Sequence, residues 1–398
     1  MASQTELTTS QPPSAVATAL PGQAAIVSQG KRLLFVDNLR ILLICGVFVV
    51  HLSNTYGLTG AWMYRDPATP DYFTRAFLWC LSSILVACLM GLFFLLAGYF
   101  TPGSYDRKGG SAFVRDRLIR LGIPWLVYAL LLQPLVLYIA HGLPGSFWSF
   151  YPTYFHQVNS IADGPIWFVE LLLFFSLVYA AWRWLSRHRT QTTASTGKLP
   201  SSLAIFGFIL ALGLVIFVVR IWCPHYYQPG PFNVPLDMLP QFISLYVVGI
   251  VASRRNWFFK LTPRMGRNWS LVAGLSTLIA WPVFGMVIHG IEYAAGFNWP
   301  VLCYTLWETL VVVGLGMGLL VLFRERFNHQ GRVAKELAAD VYTVYLIHPV
   351  VLVGFAYAFS VVALYPLLKW GIAVVVTIPL CFLISSGIRR IPLVNRVL

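Results

Sequence analysis

The sequence predicts an all-α integral membrane protein, a bundle of ten transmembrane helices with both termini cytoplasmic. Three observations carry that prediction. Of the 398 residues, 58% are apolar and 11% charged, with a mean hydropathy of +0.71, whereas soluble domains are about a quarter charged. Apolar stretches of about 20 residues, enough to cross a hydrocarbon core of ~30 Å, can be read at 39–57, 77–100, 121–141, 165–186, 203–223, 236–253, 270–289, 300–323, 341–364 and 366–388. The basic residues also alternate. If the N-terminal segment, the C-terminal tail and every second loop share one side, that side holds all 28 Lys and Arg except Arg65, Arg75, Arg220 and Lys369. This is the positive-inside pattern, and it sets both ends of an even-numbered bundle in the cytoplasm. It also accounts for the net charge of +14, so nucleic acid is not an expected partner.

Residues 1–30 are rich in Ser, Thr, Gln, Ala and Pro and lack a basic start followed by an apolar core. A disordered cytoplasmic tail is expected there, ahead of a membrane domain at 31–398. The first span carries Arg40 and His51 eleven residues apart, almost three whole turns, so they face the same way about 16 Å apart. Asp37 precedes Arg40 by one turn on nearly the same stripe. Ionisable groups are expensive in hydrocarbon, so this stripe points to a lined cavity rather than to lipid.

Between the second and third spans, Arg115, Arg117 and Arg120 stand before Pro124. Two readings remain open: ordinary positive-inside bias, or guanidinium forks suited to phosphate groups at a membrane portal. The outer loop from Gly142 to Pro165 has no Lys or Arg but carries Trp148, Tyr151 and Tyr154. These form either an interfacial belt or a stacking platform for sugar faces. The fourth span brings Glu170 about 8 Å in from the outer surface, and the eighth brings Glu308 about 12 Å in. His51 lies within about 10 Å of that surface, so three titratable groups come out level. For each, an interhelical hydrogen bond is the structural alternative to a shared cavity.

A polar linker at 190–202 separates the fourth and fifth spans. In the ninth, Tyr342 to Pro349 places His348 about 10 Å inside the cytoplasmic face, where Pro349 frees a backbone carbonyl one turn earlier. The imidazole either satisfies local backbone groups or lines a donor entrance. The six cysteines lie in or beside apolar spans without a C-x-x-C pair and are read as small buried hydrophobes.

Several of these residues resemble motifs of the acyltransferase-3 family of multispan membrane acyltransferases, which includes O-antigen acetylases and the succinylase of periplasmic glucans. They are Val36-Asp37-Asn38-Leu39-Arg40 followed by His51, Phe93 to Phe100, Arg115-Asp116-Arg117 with Arg120 and Pro124, Pro165-Ile166-Trp167-Phe168 with Glu170, and Tyr345-Leu346-Ile347-His348-Pro349. The resemblance implies transfer of an acyl group, of the acetyl or succinyl class, from cytoplasmic acyl-CoA to a hydroxyl of an extracytoplasmic glycan or related acceptor. It implies a plasma-membrane location, the inner membrane in a bacterium.

On that basis His51 is the expected general base, with Glu170 orienting its imidazole. Asp37, Arg40, Arg115, Arg117, Arg120 and His348 are expected on the acyl-CoA side, and Glu308, Trp148, Tyr151 and Tyr154 on the acceptor side. Acyl-CoA is a co-substrate and no bound cofactor is expected. A metal is not expected either, because a thioester is already activated and the sequence shows no clustered His/Cys ligand set. The alternative is a proton-coupled transporter or flippase of a lipid-linked sugar or small solute, with His51 and Glu170 as a proton relay.

Overall fold

In hydrocarbon a chain satisfies its backbone only as helix or closed barrel, and here it does so as helix: among the described residues there is no strand. The computed structural model describes residues 32–60, 62–157, 164–186, 197–225, 227–228, 233–287, 295–395 and 397. The expected tail at 1–30 and most of the expected linker at 190–202 lie outside them. Residues 34–398 form one compact unit.

The principal helices are α1 (Leu34–Gly57), α2 (Tyr72–Lys108), α3 (Gly110–Ala140), α4 (Phe147–Gln157), α5 (Trp167–Leu185), α6 (Ser202–Arg220), α7 (Leu236–Arg255), α8 (Pro263–Val287), α9 (Trp299–Arg326), α10 (Arg332–Phe359) and α11 (Pro366–Arg389). Among the described residues, nine helices are long and apolar enough to cross a membrane: all of these except α4 and α8. The remaining expected span, 270–289, falls on α8, and its last two residues lie outside the described ones.

Helix α1 sits among α2, α9, α10 and α11, with Leu39, Ile44 and Phe48 completely buried. Helices α2 and α7 cross closely enough to require glycine. A Cβ on Gly98 would meet the Tyr246 carbonyl, and one on Gly249 would meet the Leu95 carbonyl. Small residues at such crossings let backbones pack without a side-chain spacer. On the outside, Leu203, Leu275, Val375 and Leu383 are exposed, an arrangement that water penalises and lipid does not.

Prolines shape the site from within the helices. Helix α3 contains two wide π turns, Leu118–Gly122 and Tyr128–Leu132, and Pro124 and Pro134 follow them. A proline has no N–H for the carbonyl four residues earlier, and an unmatched buried carbonyl costs about 1–3 kcal/mol. In both places a tyrosine hydroxyl from another helix donates instead, Tyr342 to the Arg120 carbonyl at 2.8 Å and Tyr151 to the Leu130 carbonyl at 2.9 Å. Near the start of α1, Asn38 donates to the Phe327 and His329 carbonyls at 2.7 and 2.9 Å and accepts from Gln330. The motif asparagine therefore pins the turn after α9.

Candidate active site

His51 stands near the end of α1 in a stack of three rings. The Trp62 indole lies 3.9 Å from it on one side and the His348 imidazole 5.3 Å on the other, each tilted by 21°. Its Nδ1 is buried with no hydrogen-bond partner. His348 is completely buried, and its Nδ1 lies 2.6 Å from the Tyr345 carbonyl, the group that Pro349 deprives of an N–H. A carbonyl only accepts, so Nδ1 carries the proton and Nε2 keeps its lone pair. That Nε2 is buried and unpartnered as well. Two imidazoles thus face each other with one unspent nitrogen apiece.

Two chambers meet at His51. The larger, about 180 Å³, lies toward the C-terminal end of α1 and includes Asn54, Thr59, Ser82, Ser83, His225 and Gln228 in its wall. The smaller, about 90 Å³, lies toward the N-terminal end and is walled by Val47, Leu89, Met90, Met238 and Phe242 among others. Val50, His51, Val86, Pro165 and Trp167 border both. The Tyr345 hydroxyl donates to the Pro165 carbonyl, fastening α10 to the turn that opens α5. The loop carrying Trp62 is held by Asp66, whose carboxylate takes Lys369 of α11 at 2.9 and 3.2 Å in a buried pair.

Glu170 does not orient His51. It borders neither chamber and makes no hydrogen bond to the imidazole, because α5 packs along α3 and presents Glu170 to Trp125. The rings beside His51 are those of Trp62 and of the fully buried His348. Glu308 is an ion-pair member: its Oε2 lies 2.8 Å from Arg220, which also meets Asp237 at 3.0 Å, while His225 meets Asp237 at 2.7 Å. Arg220, Asp237 and Glu308 are each at most 1% exposed. This cluster stands behind the larger chamber and reaches it through His225 and Tyr304.

On the α1 entry side, Asp37 and Arg40 are 3.9 Å apart, with Arg40 40% exposed. Arg115 and Arg120 are exposed, and Arg120 pairs with Asp116 at 3.2 Å. Arg117 turns inward: its guanidinium lies 5.0 Å from the Phe113 ring centre and its Nε is buried without a hydrogen-bond partner. The expected aromatic platform is not assembled. Trp148 is 76% exposed, but Tyr154 is buried and the Tyr151 hydroxyl is committed to α3. None of the three borders a chamber.

Residues 33–386 match the family described as Acyltransferase domain, acyltransferase-3. The chain belongs to the acyltransferase-3 family. This acyltransferase is also similar to the curated proteins named Glucans biosynthesis protein C. It is 23% identical over 339 residues to that of Salmonella paratyphi B and over 342 residues to that of Salmonella heidelberg. Each alignment covers 81% of this chain and 83% of the relative. No solved structure matches it. It is therefore a multi-pass membrane acyltransferase, with His51, His348 and the Pro165–Trp167 turn, three of its motif segments, assembled around one pair of chambers.

Sequence reading missed Arg220, Asp237, His225, Trp62 and the Lys369–Asp66 pair. Arg220 and Lys369 had been counted only as outer flanking charges. The available signal was acidic: Asp237 and Glu308 fall inside apolar spans, and an intramembrane carboxylate calls for a buried cation.

Proposed function

We propose that this acyltransferase moves an acyl group from acyl-CoA to a hydroxyl of a carbohydrate acceptor, with His51 as the general base. The observation that carries the proposal is the imidazole shared by a larger chamber with hydroxyl and amide side chains in its wall and a smaller apolar one. The donor enters along the Arg40 end of α1, its phosphates meeting Arg40, Arg117 and their neighbours. Its thioester reaches His51 from the side of the small chamber. Arg40 and His51 lie about 16 Å apart along the helix, a span suited to an extended pantetheine arm. The acceptor occupies the larger chamber, where hydroxyl and amide side chains can hold a polyol.

His51 takes the acceptor proton as the oxygen attacks the thioester carbon. The C–S bond then breaks, and the imidazolium returns the proton to the departing thiolate. His348, fixed by the Tyr345 carbonyl, and Trp62 hold the base between them. A carbohydrate acceptor is supported by the relatives' name, glucans biosynthesis. The basic flanks of the spans support a topology with donor entry and both termini in the cytoplasm.

The test is transfer of labelled acyl groups by purified protein in nanodiscs to glucan oligosaccharides. His51→Gln should lower turnover about 10²–10⁴-fold, the usual cost of losing an acid–base group. Turnover near that of the parent would remove His51 from this role.

A further inference from the structure

We infer that the smaller chamber is the acyl pocket, and that it selects short acyl chains ending in a methyl group against chains ending in a carboxylate. The inference rests on the acyl-CoA reading above and names the substrate class within it. The chamber adjoins His51 on the side from which the donor arrives, so a thioester at the imidazole would direct its acyl tail there. Its wall is made of Val47, Val50, Val86, Leu89, Met90 and Met238, closed by aromatic rings. Among the lining residues there is no Lys or Arg. The one hydroxyl, that of Tyr345, is engaged with the Pro165 carbonyl. Behind the wall, Met238 and Phe242 continue into a buried cluster with Phe94, Leu171, Phe175 and Tyr246. Of the inward-turned cations, Arg220 is committed to Glu308 and Asp237 and Lys369 to Asp66, and Arg117, which interacts with Tyr246 of that cluster, does not line the chamber.

A carboxylate entering this space would lose its water and meet no Lys or Arg in the wall, an unfavourable condition for a charge. A methyl terminus gains burial instead. Size limits the chain as well. At about 90 Å³ the chamber has half the volume of the larger one, which suits a short acyl tail. Met90 on α2 and Met238 on α7 bound it, and methionine is a side chain that conforms to what it packs against.

Butyryl-CoA and succinyl-CoA carry four acyl carbons each and differ in whether the chain ends in methyl or carboxylate. Binding of CoA, butyryl-CoA, hexanoyl-CoA and succinyl-CoA to the full-length protein in detergent, measured by isothermal calorimetry, needs no acceptor. Butyryl-CoA should bind on the order of 10–50-fold more tightly than CoA, and succinyl-CoA no more tightly than CoA. Met90→Ala should move the preference toward hexanoyl-CoA by about tenfold.

Succinyl-CoA binding as tightly as butyryl-CoA would overturn the inference and leave the donor reading intact. So would butyryl-CoA binding no better than CoA, or an unchanged hexanoyl-to-butyryl ratio in a folded Met90→Ala protein. Absence of binding by CoA and all its thioesters would overturn the donor reading and this inference with it.

Discussion

Replacing Arg220 with methionine should be among the most destabilising single changes available in this bundle. The guanidinium is 1% exposed and touches two carboxylates, Glu308 at 2.8 Å and Asp237 at 3.0 Å. Removing it leaves both acids buried without their shared guanidinium. Breaking one buried pair from one side costs about 3–5 kcal/mol, so Arg220→Met is expected at or above that range, a drop of at least about 10² in the folded-to-unfolded ratio. Glu308→Gln keeps the Arg220–Asp237 contact and an acceptor oxygen, so its cost should be about 1–2 kcal/mol. Taken alone, neither number separates lost attraction from lost packing. The double variant Arg220→Met, Glu308→Leu does, because residues in contact couple by about 0.5–3 kcal/mol: it should be less destabilised than the sum of the Arg220→Met and Glu308→Leu single variants. The assay is reversible denaturation in mixed micelles followed by tryptophan fluorescence. If Arg220→Met lies within about 1 kcal/mol of the parent, or if the double variant is strictly additive, the cluster is not the buried ionic unit described above.

Two further outcomes follow from other parts of the molecule. Arg117→Ala should raise the acyl-CoA concentration needed for half-maximal rate about 10–100-fold, the loss of a charge-assisted bond, while exposed Arg115→Ala changes it much less; equal donor dependence in the two variants would return Arg117 to a topological role. Asp71, at the N-cap of α2 and outside the spans, is held down at about 2 by hydrogen bonds from Tyr365 and from the Thr74 hydroxyl and amide. Because its folded value lies below the ordinary 3.8, the stability it contributes is present above that pH and lost as pH falls toward 2. An NMR titration of labelled aspartate should give that midpoint, and a midpoint near 3.8 would contradict the cap.

Much of the fold was legible because length and hydropathy are local properties. A run of twenty apolar residues reads as a crossing whatever it packs against, and nine such helices are found where runs were read. The boundaries were less legible. Helix α3 begins at Gly110, well before the expected 121, because polar Arg115–Arg117 continue the helix beyond its apolar part.

At the site, His51 was legible from its spacing to Arg40 on one helix. Its partner was not, because the approach of α10 to α1 depends on packing between distant segments. Depth gave Glu170 and His51 the same level, but depth leaves open the direction around the helix, and that direction is set by α5 lying along α3. His348 was visible as a histidine preceding a proline. Of its two readings the structure shows the local one, a hydrogen bond to the Tyr345 carbonyl, and adds a contact that neither reading named, the stacking of its ring on His51.

Pro124, Pro134 and Pro349 each open a gap in one helix that is closed by a side chain, twice from a different helix. A hydropathy profile is blind to these repairs. Restoring an N–H by a proline-to-alanine exchange would therefore regularise one helix and simultaneously strand a tyrosine hydroxyl or an imidazole proton. In this protein the irregular turns act as fasteners between segments, and straightening them would loosen the assembly.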